Sequence, residues 1–130
     1  MLLAEYEKLS HTVSGTADDL RKWIFEDPVV DCLVAVEGGN VVGYAIFFRN
    51  FSTFRVKPGV WLEDVFVTPE RRSAGIGKAL LNAVIDFASE RGYGRVEWSV
   101  LDWNEPAIKF YESIGADVMP DWRICRVSLP

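Results

Sequence analysis

The residues best suited to chemistry lie between Trp61 and Tyr111. Arg72-Ser73-Ala74-Gly75-Ile76-Gly77 joins an apolar strand-like run, Trp61 to Val67, to an amphipathic helical run that stops at Gly92. Small residues let the backbone approach a ligand there, and the first N–H groups of a helix have no partner within it. Such a loop is an anion site suited to a phosphate, with Arg72 and Lys78 beside it. A tight turn with close helix packing is the plainer reading. Glu63 and Asp64 stand inside the apolar strand, where two acids need a reason, and a salt-bridged or water-facing pair is the ordinary one. Strict alternation sends neighbours to opposite faces, so one cleft receives both acids only if the strand is bulged or splayed. Tyr111 follows Asn104 at two helical turns and shares roughly its face.

These residues depend on the elements around them. The Trp61 to Val67 strand is β-branched and aromatic, and Pro69 ends it because proline cannot donate to a ladder. In the helix that begins near Gly75, Ile76, Leu80, Val84 and Ala88 form a stripe that Leu81 and Ile85 widen, and Gly92 caps it. Upstream, Leu2 to Leu9 reads as a short amphipathic helical fragment. Thr16 with Asp19 forms a capping box for a second helix, whose apolar face is Leu20, Trp23 and Ile24 and which Pro28 closes. Cys32 to Val36 and Val41 to Phe48 flank Gly38-Gly39-Asn40 as a β-hairpin. Asn50 to Gly59 reads as a loop, either a flap over a cleft or a plain surface connection. Arg95 to Leu101 is a further buried strand, parallel to Trp61 to Val67 because a helix separates them. Asn104 or Glu105 opens a last helix with Pro106 in its first turn and Gly115 after its end, and Trp122 to Leu129 is a last strand. Trp98, Trp103 and Trp122 are assigned to core packing.

Two familiar phosphate loops do not fit. A Walker loop needs more residues between its glycines and then Lys-Ser/Thr, but one residue separates Gly75 from Gly77, and Ala79 follows Lys78. A dinucleotide fingerprint needs a third small residue where Leu80 stands. Arg72-x-x-Gly75-x-Gly77, straight after a strand and straight before a helix, instead resembles the pyrophosphate loop of the GCN5-related N-acetyltransferase (GNAT) superfamily. The run from Trp98 through Asn104-Glu105-Pro106 to Phe110-Tyr111, ending in Gly115-Ala116, resembles that superfamily's closing segment, more narrowly its diamine (spermidine/spermine) acetyltransferase branch. Leu62-Glu63-Asp64 before Val65-Phe66-Val67 matches the branch's central strand, so the resemblance runs from about Cys32 to the C-terminus. The family's first strand and most of its first helix are absent, and Glu112 follows Tyr111 where relatives carry a base.

The resemblance implies an α/β (α+β) fold: one GNAT-like domain over residues 1–130. Its central sheet is mixed and largely antiparallel, flanked by helices, with a splayed parallel strand pair at the centre. It implies acetyl-CoA as co-substrate, its pyrophosphate on Arg72, Ser73, Ala74, Gly75, Ile76, Gly77 and Lys78, and its pantetheine amides along Val65, Phe66 and Val67. Acetyl transfer to an amine needs a neutral nucleophile, and at pH 7 only about one primary alkylamine in a thousand is neutral. By resemblance Glu63 is the base, through water, and burial beside Trp61 would tune it for that task. Glu63 and Asp64 then hold the substrate ammonium. Tyr111 becomes the general acid to the departing thiolate, better as a strong hydrogen bond than as full proton transfer, because a phenol (about 10) is a weaker acid than a thiol (about 8.5). Asn104 either contacts the cofactor or caps its helix.

Composition fits this frame. The 130 residues are 49% hydrophobic, enough for one compact core. A net charge of −5 argues against nucleic acid or an anionic membrane and weakly suits a cationic substrate. Cys32 and Cys125 lie in apolar runs and read as buried, reduced thiols in a reducing, cytoplasmic compartment. No signal-like start or apolar run of membrane-spanning length occurs. His11 is the lone histidine, which leaves a His-based metal site or a Ser/His triad without support. Without the family's first strand, Cys32 to Val36 becomes an apolar sheet edge, for which a homodimer is the expected cover. The leading expectation is an acetyl-CoA-dependent N-acetyltransferase acting on a small diamine, polyamine or related amine by direct attack in a ternary complex. A non-catalytic acyl-CoA-binding module and a protein or peptide N-acetyltransferase are the alternatives.

Overall fold

A computed structural model describes residues 14–130. The Leu2 to Leu9 fragment and His11 lie outside the described residues. The chain divides into two compact units, one ending at Ser99 and the other spanning Val100–Pro130.

Among the described residues of the first unit, the first element is α1, Ala17–Arg21, continued by a wider π turn, Lys22–Glu26. Its start is the expected capping box: Thr16 Oγ1 accepts from the Asp19 amide at 3.2 Å, and Asp19 Oδ2 accepts from the Thr16 amide at 2.9 Å. Thr16 Oγ1 also donates to Asp19 Oδ2 at 2.8 Å, and this bond, with the one from the Thr16 amide, holds the Asp19 carboxyl below its ordinary range. Among the described residues a four-stranded sheet follows in the order β1-β2-β3-β4, comprising β1 (Asp31–Glu37), β2 (Asn40–Ser52), β3 (Lys57–Val67) and β4 (Val96–Glu97). The first two pairings are antiparallel and the third is parallel. Helix α2, Ile76–Glu90, packs on one face through Leu80, Leu81, Val84 and Ala88 against Ala45, Phe47, Val60 and Leu62, the core of this unit.

Local chemistry explains the hairpin. Gly38 and Gly39 both have positive φ, 58° and 80°, so a two-residue turn pairs Glu37 with Asn40. The expected loop from Asn50 to Gly59 is instead strand at both ends. β2 runs to Ser52 and β3 starts at Lys57, leaving only a four-residue turn, because the ladder continues through Ser52↔Lys57.

The parallel pair explains another difference. Arg95 to Leu101 was expected to be a strand, but only Val96 and Glu97 pair with β3, opposite Val60 and Trp61. That end is clamped. Val60 N donates to Arg95 O at 3.0 Å and Gly94 N to Pro58 O at 2.8 Å, while Glu97 Oε1 accepts from Asn50 Nδ2 at 3.3 Å and Arg95 Nε at 2.9 Å. Gly59 permits the approach, since a Cβ there would lie 2.8 Å from Asn50 Oδ1 and 2.9 Å from Arg95 O. Beyond Trp61 the ladder stops.

In the second unit α3, Glu105–Ser113, starts at Asn104, whose buried side-chain oxygen accepts from the Ala107 amide at 3.4 Å. Gly115 follows the helix at φ 93°. Trp122 to Leu129 forms no strand. Trp122 is 75% exposed and Cys125 is exposed, which corrects the core assignment of the one and the buried reading of the other. Trp103 is also exposed. Both cysteines are free thiols, and Cys32 is half-buried.

Candidate active site

The register of β3 decides where the two acids go. On β2, Gly43, Ala45 and Phe47 face α2: a Cβ at Gly43 would meet Leu80 Cδ1 at 3.2 Å, and Phe47 packs edge-on against Phe87 with ring centres 5.0 Å apart. Their β3 partners are Val67, Val65 and Leu62. Leu62 and Val65 therefore share a face although they are three positions apart, which a regular strand does not allow. The extra residue is Glu63: Phe47 pairs with Leu62, Ile46 pairs with Asp64, and nothing on β2 opposes Glu63. The strand alternates normally on either side of this bulge. Glu63 and Asp64 consequently both turn away from α2, toward one face of the sheet.

The surroundings of the two acids differ. Glu63 is exposed, so the expected burial beside Trp61 is not found; instead Trp61 Nε1 donates to Glu63 Oε2 at 2.9 Å. Asp64 is half-buried. On the same face, Tyr44 and Phe66 pack with ring centres 5.8 Å apart and floor the sheet toward the end of β3. Because pairing with β4 ends at Trp61↔Glu97, β3 from Leu62 to Val67 has no strand partner on that side among the described residues. Exposed main-chain groups of this kind accept an added extended ligand as a further strand. Val65, Phe66 and Val67 lie on this open length.

The loop after β3 leads into α2. A 3₁₀ turn, Pro69–Arg71, is followed by Arg72 in extended conformation and then by two left-handed residues, Ser73 at φ 68° and Gly75 at φ 80°. Gly75 is the N-cap of α2 and supplies no side-chain cap, so the amides of Ile76, Gly77 and Lys78 open the helix without one. A helix of this length directs positive dipole and unpaired N–H groups at that point, which suits a diphosphate. A Cβ at Gly75 would meet nothing within 4 Å, so backbone conformation rather than crowding selects glycine there. The Arg72 side chain folds back on β3: its Nε donates to Val67 O at 3.1 Å and its guanidinium lies 5.4 Å from the Phe66 ring centre. Arg72, Ser73, Ala74, Gly75, Ile76, Gly77 and Lys78 thus form one continuous stretch between the end of β3 and the first turn of α2.

In the second unit, Tyr111 is half-buried on α3 beside Phe110, with ring centres 5.6 Å apart. Asn104 caps that helix through its side chain. Sequence reasoning missed Trp61 as the donor to Glu63, and it missed Arg71, whose partner Glu37 is 34 positions away. The Arg71–Glu37 pairing leaves no local signal, whereas Trp61 and Glu63 stand two apart, the spacing that puts strand neighbours on one face. Among the described residues no group of three or more His, Cys, Asp or Glu clusters as metal ligands, and no helix is long and apolar enough to cross a membrane.

The profile of the acetyltransferase (GNAT) family matches residues 2–116, across both units. An L-ornithine N5-acetyltransferase of Arabidopsis thaliana is 48% identical over 88 residues, which cover 68% of this chain and 39% of that protein. A thialysine N-epsilon-acetyltransferase of Bos taurus is 38% identical over 123 residues, covering 88% of this chain and 72% of that protein. The chain thus spans about two fifths of the first relative's length. Among solved structures, an integron cassette protein from the mobile metagenome of V. cholerae superposes with a TM-score of 0.79 at 26% identity, covering 97% of this chain and 80% of that one.

Proposed function

The chain belongs to the acetyltransferase (GNAT) family, and from that premise we propose that it transfers the acetyl group of acetyl-CoA to a primary amine by direct attack in a ternary complex. The acceptor is a small diamine, a polyamine or an amino-acid side-chain amine. The bulge at Glu63 carries this reading, because it brings two carboxylates to one face beside the open length of β3. A half-buried acid next to an exposed one suits an alkylammonium, which Asp64 holds while Glu63, through water, removes the proton that blocks attack. The names of the ornithine and thialysine relatives support an acceptor of this kind.

The remaining roles follow from the chemistry. Amides at the start of α2, with the charges of Arg72 and Lys78, hold the pyrophosphate of acetyl-CoA. The main chain of Val65 to Val67 pairs with the pantetheine amides, and a backbone N–H near Val65 polarises the thioester carbonyl. Tyr111 hydrogen-bonds the departing thiolate, and Asn104 fixes the start of the helix that carries it. No metal is required by this scheme. Both units serve a single acetyltransferase domain over residues 1–130, as the family match across them supports. We read the protein as cytoplasmic and homodimeric. The second copy covers the apolar edge at β1, where Val34 is 54% and Val36 60% exposed.

The test is release of coenzyme A from acetyl-CoA with ornithine, thialysine, spermidine, short diamines and a basic peptide, using wild type beside Tyr111→Phe. Turnover with the small amines, falling steeply in the variant, is the expected result. Turnover with peptide alone overturns the substrate class. Saturable acetyl-CoA binding without turnover on any acceptor overturns the catalytic reading.

A further inference from the structure

We propose that Glu37, at the end of β1, is a positioning residue for the phosphate-facing loop, acting through Arg71. The inference rests on the reading of residues 72–78 as the pyrophosphate site and goes beyond it by naming what holds that loop in shape.

The loop has little structure of its own. Its root is fixed where Thr68 N donates to Val42 O at 2.9 Å, and its 3₁₀ turn is closed by Arg71 N to Thr68 O at 2.9 Å and a longer Arg72 N to Pro69 O bond of 3.4 Å. After that come two residues in left-handed conformation, one of them Ser73, which gains nothing intrinsic from it. Backbone of this kind persists only where its surroundings impose it. Arg72 is tied to β3 itself, the strand the loop leaves.

Arg71 supplies a tie to another element. Its Nη2 donates to Glu37 Oε2 at 2.7 Å, and its Nε lies 2.7 Å from Glu37 Oε1, close enough for ion pairing though not aligned as a hydrogen bond. Two points of contact fix the orientation of the guanidinium as well as its distance. Glu37 is itself held, since it pairs with Asn40 across the tight Gly38-Gly39 turn. The hairpin end therefore acts as a fixed post against which the 3₁₀ turn is braced. Arg71 is also neutralised by this contact, which leaves phosphate binding to the helix amides, Arg72 and Lys78.

The sign of the effect separates positioning from simple electrostatics. A carboxylate near a bound polyphosphate repels it, so if Glu37 were only a charge, Glu37→Gln would tighten coenzyme A binding. If Glu37 positions the loop, the same substitution weakens binding. The pair is half-exposed, so it contributes little to global stability and the variant is expected to fold.

The experiment measures the Kd of coenzyme A by calorimetry and the kcat and KM for acetyl-CoA and amine, in wild type, Glu37→Gln, Glu37→Asp and Arg71→Lys. Glu37→Gln is expected to raise Kd and KM for acetyl-CoA about two- to fivefold, with kcat and the amine KM unchanged. Glu37→Asp, which keeps the charge, should recover part of the loss. Arg71→Lys, which keeps charge but gives up the two-point contact, should resemble Glu37→Gln. Wild type that binds while Glu37→Gln binds equally well or tighter overturns the inference and leaves the loop reading standing. Wild type that fails to bind coenzyme A overturns the loop reading and this inference with it.

Discussion

Trp61 Nε1 donates a 2.9 Å hydrogen bond to Oε2 of Glu63, the one residue of the central strand that nothing on β2 opposes. The bond is made across the face turned away from α2, and it fixes a carboxylate that an exposed position would otherwise leave to rotate. The bulge aims the acid and the indole holds it. Glu63→Gln should lower kcat about 10²- to 10⁴-fold, the range for a lost general base, while coenzyme A binding persists. Trp61→Phe keeps the packing but removes the donor, and should lower kcat about three- to tenfold. Steady-state kinetics on both variants checks this, and a Trp61→Phe enzyme with wild-type kcat would deny the indole any orienting role.

Ser73 has φ 68°, a conformation disfavoured for any residue with a Cβ. Ser73→Gly should therefore stabilise the protein by about 1 kcal/mol, less the extra entropy that glycine loses, and raise Tm by a few degrees. Ser73→Val should do the opposite and weaken coenzyme A binding, because a β-branched residue resists this φ more strongly. Thermal melts of the two variants decide the matter: equal Tm values would mean that the loop relaxes and holds no strain at Ser73.

Much of this fold is legible locally. The capping box at Thr16 and Asp19, the Gly38-Gly39 turn, and the glycine loop running into α2 all appear where their residue types place them, because each rests on bonds or backbone angles within a few positions. What was not legible depends on neighbours. The length of β4 is set by where β3 stops running beside it, so an apolar run from Arg95 to Leu101 yields only Val96 and Glu97. Trp122 to Leu129 has strand composition but no ladder, and exposure follows. The bulge is a special case, since sequence parity posed the conflict between Glu63 and Asp64 but only the β2 register shows its resolution. The Arg71–Glu37 pair joins residues 34 positions apart and leaves no trace in either neighbourhood.

The two thiols should be chemically distinct. Burial pushes the Cys32 thiol up, and its Sγ lies 3.8 Å from Leu33 O, whereas Cys125 is exposed. The thiolate is the reactive form, so near neutral pH alkylation should reach Cys125 first and Cys32 only slowly. As pH rises, Cys32 should gain reactivity later than an ordinary thiol, because its proton leaves at a higher pH. Timed alkylation followed by peptide mass spectrometry, with and without denaturant, checks the order. Equal rates in the native protein would mean that β1 opens readily.

A deletion offers the sharpest check on the register. With Glu63 present, Val60, Leu62, Val65 and Val67 face α2 and the alternation is interrupted once. Removing Glu63 joins Leu62 to Asp64, and the alternation becomes regular: Val60, Leu62, Val65 and Val67 keep the core face, Trp61, Asp64 and Phe66 keep the other, and every β2 partner is retained. The deletion variant should therefore fold, with Tm within about 5 °C of wild type, and should bind coenzyme A through an unaltered loop. Its kcat should fall at least as far as that of Glu63→Gln, since the carboxylate and its bulge are both gone. Deleting Phe66 instead removes a residue from the regular part of the strand. That change turns Val67 to the wrong face and pulls the loop out of line with α2, so it should unfold the protein or lower Tm steeply. If the Glu63 deletion proves as damaging to folding as the Phe66 deletion, Glu63 is part of a regular ladder, and the shared face of the two acids goes with it.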